Sequence, residues 1–359
     1  MIKAIVCGTT FGQSYISAIK KMNNIELAGI LAFGSSRSER CAEEHNVPLY
    51  VDVNSIPRNI DIAFVVIKSS VLGGKGTELS KSLLKRGIHV MQEHPIHYRE
   101  IENCLKVAKQ FNACYMVGNL YNSLETVEKF IEAAIYLNEK DVLQHIDIMT
   151  SSQLLYSLIG ILNEALPLFR SFDVVPTLTE KRYPFNRVVL SNGQLDINLQ
   201  IHNEISDADG NNHMHLLHKI TFFYKSGRLD LEDTFGCVTW RDRMNISDNI
   251  VLGSKNTEID YLAKLIYLRL DNYNNLTYST LLYEIFPNGI MKEIEEFIKN
   301  IKQEKINVIK TQKEILIAKK WGQVMEEIGF PRNVKFEGKH FNHIPALKKI
   351  RDKKNETKR

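Results

Sequence analysis

The chain has 359 residues, enough for two domains of ordinary size, and its 44% hydrophobic and 25% charged content is that of a soluble globular protein. A net charge of +4 is too small to mark a nucleic-acid-binding protein, and no apolar run reaches the ~20 residues of a membrane helix. The five cysteines, Cys7, Cys41, Cys104, Cys114 and Cys237, are odd in number without paired metal spacing, so reduced structural thiols are expected.

Met1 leads directly into a strand, Ile2–Cys7, with no signal-peptide architecture, and the expected location is cytoplasmic. That strand ends at Gly8-Thr9-Thr10-Phe11-Gly12 and is followed by a helix over Gln13–Lys21. A second strand, Ile25–Ala32, runs into Phe33-Gly34-Ser35-Ser36-Arg37 and a helix to about His45. A third, Ile62–Ile67, leads to Lys68-Ser69-Ser70. Helix Thr77–Lys85, strand His89–Gln92, helix Glu100–Phe111 and strand Tyr115–Val117 continue the alternation. The pattern predicts a Rossmann-type doubly wound parallel sheet over residues 1–120. Such sheets bind ligands outside the carboxyl ends of their strands. Segments 8–12, 35–37, 68–70, 92–95 and residue 121 all fall on that edge.

The first turn keeps two glycines, Gly8 and Gly12, of the three in a full dinucleotide fingerprint. Gly8 is expected to make the tight turn and Gly12 the close helix–sheet approach. Backbone N–H groups of this turn, Gly8, Thr9, Thr10, Phe11 and Gly12, then face a pyrophosphate at the helix start. NAD enzymes place a carboxylate at the end of the second strand, but none lies between Glu26 and Glu39. Ser35, Ser36 and Arg37 instead offer two hydroxyls and a guanidinium to a 2′-phosphate, which favours NADP. The same three residues also read as a helix cap followed by a solvated arginine.

From about Tyr121 the alternation stops, and residues 121–330 read as a second α/β domain. A helical stretch, Asn122–Asn138, a strand near Ile146–Thr150 and an apolar helix, Leu154–Phe169, open it. Strands Arg187–Leu190 and Leu195–His202 flank the hairpin signal Ser191-Asn192-Gly193-Gln194. Strands His215–Tyr224 and Leu229–Leu231 flank Lys225-Ser226-Gly227-Arg228, and Gly236–Trp240 follows. The expectation is an open mixed, largely antiparallel sheet with helices on one face, supplying a substrate wall and a dimer surface. Helices are expected around Asp260–Asp271, Leu276–Glu284, Gly289–Lys302 and Val308–Ile328, before a basic, solvated tail over 331–359. His213, His215 and His218 cluster in one predicted strand, but only the first two share a face and no third ligand stands at a recognisable spacing, so no metal site is expected. Asp207-Ala208-Asp209-Gly210-Asn211-Asn212 places its glycine too early for a calcium loop and reads as a polar hairpin loop. Trp240 and Phe222–Tyr224 read as core.

Gln92-Glu93-His94-Pro95 and Tyr121 put two candidate proton donors, His94 and Tyr121, at the carboxyl edge of the first sheet. Beside a dinucleotide, an acid there equips a site to add hydride to a polar double bond. On these residues the chain resembles the glucose–fructose oxidoreductase (Gfo/Idh/MocA) family, whose Rossmann domain is joined to an α/β domain with an open mixed sheet. That family's sugar dehydrogenases carry Glu-Lys-Pro where this chain has Glu93-His94-Pro95. Within the family the chain is similar to the thiazolinyl imine reductases of yersiniabactin- and pyochelin-type siderophore assembly. The likeness covers Gly8–Gly12, Gly34–Ser38, Lys68–Thr77, His89–His97, Cys114–Val117 with Tyr121, and Thr150–Ser157, and continues more weakly through Gln312–Glu327.

The resemblance implies that NADPH reduces a thiazoline C=N to a thiazolidine while the intermediate hangs on a carrier-protein arm of a nonribosomal peptide synthetase. It makes His94 and Tyr121 the proton donors; either can be the acid with the other orienting it. Glu93 is expected to position the nicotinamide or the histidine. A homodimer through the second sheet is likewise implied, with no nucleic-acid or membrane partner. Two other readings stay open: an NADP-dependent reductase of a small soluble carbonyl or imine, and an NADP-binding docking or regulatory protein without turnover.

Overall fold

The computed structural model describes residues 1–67, 74–176, 184–206, 213–246, 263–273, 276–303, 308–335 and 342–356. Its first third contains strands β1 (Ile2–Cys7), β2 (Ile25–Leu31), β3 (Leu49–Tyr50), β4 (Ile62–Val65), β5 (His89–Glu93) and β6 (Tyr115–Gly118). All are parallel, in the order β3-β2-β1-β4-β5-β6 of a dinucleotide-binding sheet. Every residue of β4 is buried, so both its faces are covered, as expected of a continuous apolar strand in a parallel sheet. Helices α1 (Gly12–Lys21), α2 (Ser36–His45), α3 (Lys75–Leu84) and α4 (Tyr98–Gln110) make the crossovers. Each is amphipathic; α1 buries Tyr15, Ile16 and Ile19 on one stripe.

After α5 (Glu125–Lys140) the second sheet begins. It contains β7 (Leu143–Ser151), β8 (Asp173–Val175), β9 (Phe185–Ser191), β10 (Asp196–His202), β12 (His218–Tyr224), β13 (Gly227–Leu231), β14 (Val238–Asp242) and β15 (Tyr267–Arg269). The order is β15-β14-β13-β12-β7-β10-β9-β8; only β7 and β10 run parallel, so the sheet is mixed and largely antiparallel. Burial alternates with period two: Ile197, Leu199 and Ile201 of β10 and Ile220, Phe222 and Tyr224 of β12 face inward. Tyr224 hydrogen-bonds Asn138 of α5 at 3.0 Å, so this inner face meets the helical layer of α5 and α6 (Leu155–Ala165). The β9–β10 turn follows its sequence: Gly193 has φ +83° and the Asn192 side chain accepts from Gln194 and Leu195 backbone N–H groups.

Two further helices, α7 (Phe286–Lys302) and α8 (Val308–Ile328), return to the first sheet. α7 packs on α1, and α8 bridges α4 and α6, joining both halves of the molecule. A two-residue strand β11 (Glu204–Ile205) pairs with β16 (Arg332–Asn333) beyond α8.

Four expectations need correction. The short β3 is unpredicted because two residues carry no periodicity. Tyr267–Arg269, expected in a helix, instead extends the sheet edge by pairing with β14. His213 and His215 lie outside the strand, because β12 begins at His218. The basic tail is not featureless: it supplies β16 and a terminal helix, α9 (Ile344–Glu356), whose described side chains are exposed. Lys68, Ser69, Ser70 and the Asp207–Asn212 run lie outside the described residues. No helix among the described residues is long and apolar enough to cross a membrane.

Candidate active site

The carboxyl end of β5 is held by a buried amide. Gln92 accepts hydrogen bonds from Ser80 and Tyr115 at 2.9 Å each and donates to Thr77 at 3.2 Å. With its end fixed, the strand delivers Glu93 and His94 next to β6 and then continues through a cis His94–Pro95 peptide bond. Glu93 accepts from the buried hydroxyl of Tyr15 on α1. Gly118 of β6 leaves the space: a Cβ there would stand 3.0 Å from Met91 Cε and 3.1 Å from the Tyr15 hydroxyl.

The His94 ring is fixed on three sides. Its Nδ1 lies 2.9 Å from the Gly118 carbonyl and 3.0 Å from Glu93 Oε1. Neither oxygen can donate, so Nδ1 carries a hydrogen and Nε2 is left as the site of a transferable proton. One ring face stacks on Tyr156 at 5.3 Å and 17°. Tyr121, in the single helical turn Leu120–Ser123 after β6, meets it edge-on at 6.1 Å. The phenol and imidazole named in the sequence are thus brought side by side. Burial disfavours the imidazolium of His94, but the Glu93 carboxylate and its hydrogen bond, with the Gly118 carbonyl, outweigh that and hold its pKa above the ordinary imidazole range. Burial, reinforced by the negative charge of Glu93, raises the Tyr121 phenol, which therefore stays protonated.

Sequence reasoning missed Tyr156 and three further neighbours. His218, set aside as structural, is buried and meets Tyr121 edge-on at 5.3 Å. It donates from Nε2 to the Leu154 carbonyl at 3.1 Å and accepts at Nδ1 from Thr234 at 2.8 Å. Burial pushes its pKa down to about 4, so it stays neutral beside the phenol. Glu293 of α7 accepts from the Asn119 N–H at 2.7 Å, while its other oxygen is buried without a hydrogen-bond partner among the described residues. Burial and then Glu93 push this carboxyl up to about 8. Glu314 of α8 accepts from the Val117 N–H at 3.3 Å and is pushed up to about 8 by burial. Their signal was present in the sequence: each acid sits on an apolar helix stripe, Glu293 among Ile290, Ile294 and Phe297, and Glu314 beside Ile317, Ala318 and Trp321.

The dinucleotide cradle can be tested on its glycines. Gly8 has φ +100°, and a Cβ on it would lie 2.6 Å from the Val66 carbonyl oxygen. A Cβ on Gly12 would lie 3.0 Å from Val6 Cγ1 where α1 begins. Both positions are therefore closed to side chains, as a tight phosphate-binding turn requires. Thr9 is buried, Thr10 exposed, and Phe11 packs on Tyr15 and Phe286 at 6.2 and 5.7 Å. At the end of β2, Ser35 caps α2: its Oγ accepts from the Ser38 N–H at 3.3 Å. Ser36 and Arg37 are exposed beside it. The cap reading therefore holds for Ser35, while the Ser36 and Arg37 side chains are left open to solvent at this edge.

Comparisons with known proteins agree with this fold. The family model described as "Oxidoreductase family, NAD-binding Rossmann fold" matches residues 2–119, and the one described as "Thiazolinyl imine reductase Irp3-like, C-terminal" matches residues 142–241. No curated protein matches the sequence. Solved structures share the fold along nearly the whole chain. A dehydrogenase (MviM) from Clostridium difficile is 14% identical, with 90% of this chain and 99% of that one covered and a TM-score of 0.61. KijD10, a 3-ketoreductase from Actinomadura kijaniata in complex with NADP, is 13% identical, covering 93% and 99% with a TM-score of 0.64. An oxidoreductase from Agrobacterium radiobacter in complex with NAD+, L-tartaric acid and magnesium is 8% identical, covering 91% and 96% with a TM-score of 0.65. The chain therefore belongs to the Gfo/Idh/MocA oxidoreductases, as an NAD(P)-dependent enzyme with a carboxy-terminal domain of the thiazolinyl imine reductase type.

Proposed function

We propose that this enzyme uses NADPH to reduce a thiazoline C=N to a thiazolidine on an intermediate tethered to the carrier protein of a nonribosomal siderophore synthetase. The observation that carries the reading is the His94–Tyr121 pair, ring centroids 6.1 Å apart, at the carboxyl edge of β5 and β6. The reduced nicotinamide, when bound, supplies the hydride. The protein's own residues manage the proton. Charge develops on the imine nitrogen during reduction, and a donor within hydrogen-bond reach stabilises it as it forms.

His94 suits this task because Glu93 and Gly118 engage Nδ1 and favour the imidazolium, leaving Nε2–H to be given up. Tyr121 offers a phenol that stays protonated, and neutral His218 beside it adds no competing charge. Tyr15 holds Glu93, and Tyr156 stacks on the imidazole, so the donor is pre-positioned. A histidine where the sugar dehydrogenases have lysine supports an imine over a sugar alcohol. The thiazolinyl imine reductase-type domain over residues 142–241 supports the same choice. The absence of a carboxylate at the end of β2, with Ser36 and Arg37 exposed there, supports NADPH over NADH. The same reading has the enzyme work in the cytoplasm as a homodimer joined through the second sheet.

The test is a substrate panel with NADPH: a carrier-bound thiazolinyl thioester, a free thiazoline, and a series of ketosugars. The reading requires NADPH oxidation with the thiazolines and a product heavier by one hydride and one proton. Turnover confined to the ketosugars would replace it with a soluble-carbonyl reductase. NADPH that binds yet is never consumed would indicate a docking or regulatory protein.

A further inference from the structure

Spacing along the chain gives His213 and His215 no third donor, but the fold supplies two from elsewhere. His202 closes β10 and Glu204 lies in β11. One donor atom from each of His202, Glu204 and His213 lies within 4.8 Å of the other two. Ile197, Leu199 and Ile201 of β10 face the helical layer, so His202, next in the alternation, points to the opposite face. The cluster is thereby separated by the sheet from the inner face that bears His218.

His202 is 1% exposed, and among the described residues neither of its ring nitrogens has a hydrogen-bond partner. A buried imidazole with both nitrogens unpaired costs free energy that a ligand on one of them would recover. Glu204 Oε2 stands 3.9 Å from His202 Nε2, too far for a hydrogen bond but near enough to share an ion. The other oxygen of Glu204 accepts from Arg332, the kind of outer contact that orients a ligating carboxylate.

We propose that His202, Glu204 and His213 bind one divalent transition-metal ion of the zinc class. Two imidazoles and a carboxylate are a borderline N/O donor set suited to that ion. Tetrahedral ligands with bonds near 2.0–2.1 Å stand roughly 3.3 Å apart, so the donors draw together on binding. The half-exposed His213, on the segment entering β12, is the one placed to move. His215, edge-on to His202 at 4.8 Å between ring centroids, or a water completes the sphere. The ion ties β10, the β11–β16 pair and the entry to β12 together; the site is structural and independent of the reduction chemistry.

The test uses the full chain stripped with a chelator and titrated with zinc chloride by calorimetry, in parallel with cobalt(II) followed by visible absorption. One equivalent of zinc, a raised melting temperature and a d–d spectrum of nitrogen and oxygen ligation are expected. His213→Ala, at a half-exposed position, should melt like the parent without metal yet bind zinc at least about tenfold more weakly. Glu204→Gln should weaken binding similarly; if that variant does not fold, His213→Ala decides alone. Failure of the parent to bind zinc stoichiometrically, unchanged affinity in His213→Ala, or a thiolate-to-cobalt charge-transfer band would overturn the site.

Discussion

Glu93→Gln removes the negative charge 3.0 Å from His94 Nδ1 while keeping an oxygen for the Tyr15 hydroxyl. At that distance and an effective dielectric near 20, the Coulomb attraction is about 5.5 kcal/mol before the cost of desolvation. Opposite charges this close shift a pKa by about 1–3 pH units, or roughly 1.4–4 kcal/mol. The sign follows from the raised His94 pKa: the imidazolium persists to higher pH than a free histidine, and donor capacity is lost as pH rises through the folded value. Its contribution to stability is likewise full below the unfolded pKa and lost through the folded one. In Glu93→Gln, burial is left to dominate and the pKa drops. The assay is the single-turnover rate of NADPH oxidation against pH at saturating substrate. The alkaline limb should move toward acid by about 1–3 pH units. A limb that stays in place while the rate falls evenly at all pH values refutes the coupling and leaves Glu93 a nicotinamide-positioning residue.

The buried acids give a stability signature of opposite sense. Glu293 and Glu314, each pushed up to about 8, hold protons in the folded state that the unfolded chain releases near pH 4.5, so stability falls as pH rises between those values. Glutamine at both positions should flatten the chemical-denaturation profile over that range and stabilise the protein at pH 8; an unchanged slope would show that the acids are not protonated. Gly8→Ala should lose at least about 1–2 kcal/mol from its left-handed backbone alone and abolish dinucleotide binding, read by melting and by fluorescence titration. Arg37→Ala should weaken NADPH binding by about 10- to 100-fold while leaving NADH binding unchanged, and equal losses for both would remove Arg37 from phosphate recognition.

The first sheet was legible because its strands are apolar runs and its helices amphipathic, and chemistry on such a sheet falls at strand ends. His94 and Tyr121 follow β5 and β6 directly, so local sequence places them on one edge. What surrounds them comes from elsewhere in the chain. Tyr156 and His218 reach the pair from α6 and β12, and Glu293 and Glu314 from helices that return after the second sheet. An acid on an apolar stripe was a readable sign of burial, but the partner of that stripe is a tertiary fact. The His202–Glu204–His213 set is likewise assembled by the turn after β10 and the approach to β12, a geometry that residue spacing does not encode. Tyr267–Arg269 shows the reverse failure, where pairing with an edge strand overrode local helical character.

The most direct test compares the parent with His94→Ala/Tyr121→Phe in a single turnover of carrier-bound thiazoline, while NADPH affinity is measured on the same samples. Loss of both donors should slow reduction by about 10²–10⁴-fold with dinucleotide affinity nearly unchanged. A double variant that reduces the thiazoline at the parental rate contradicts the assignment of this imidazole and phenol as the source of the proton.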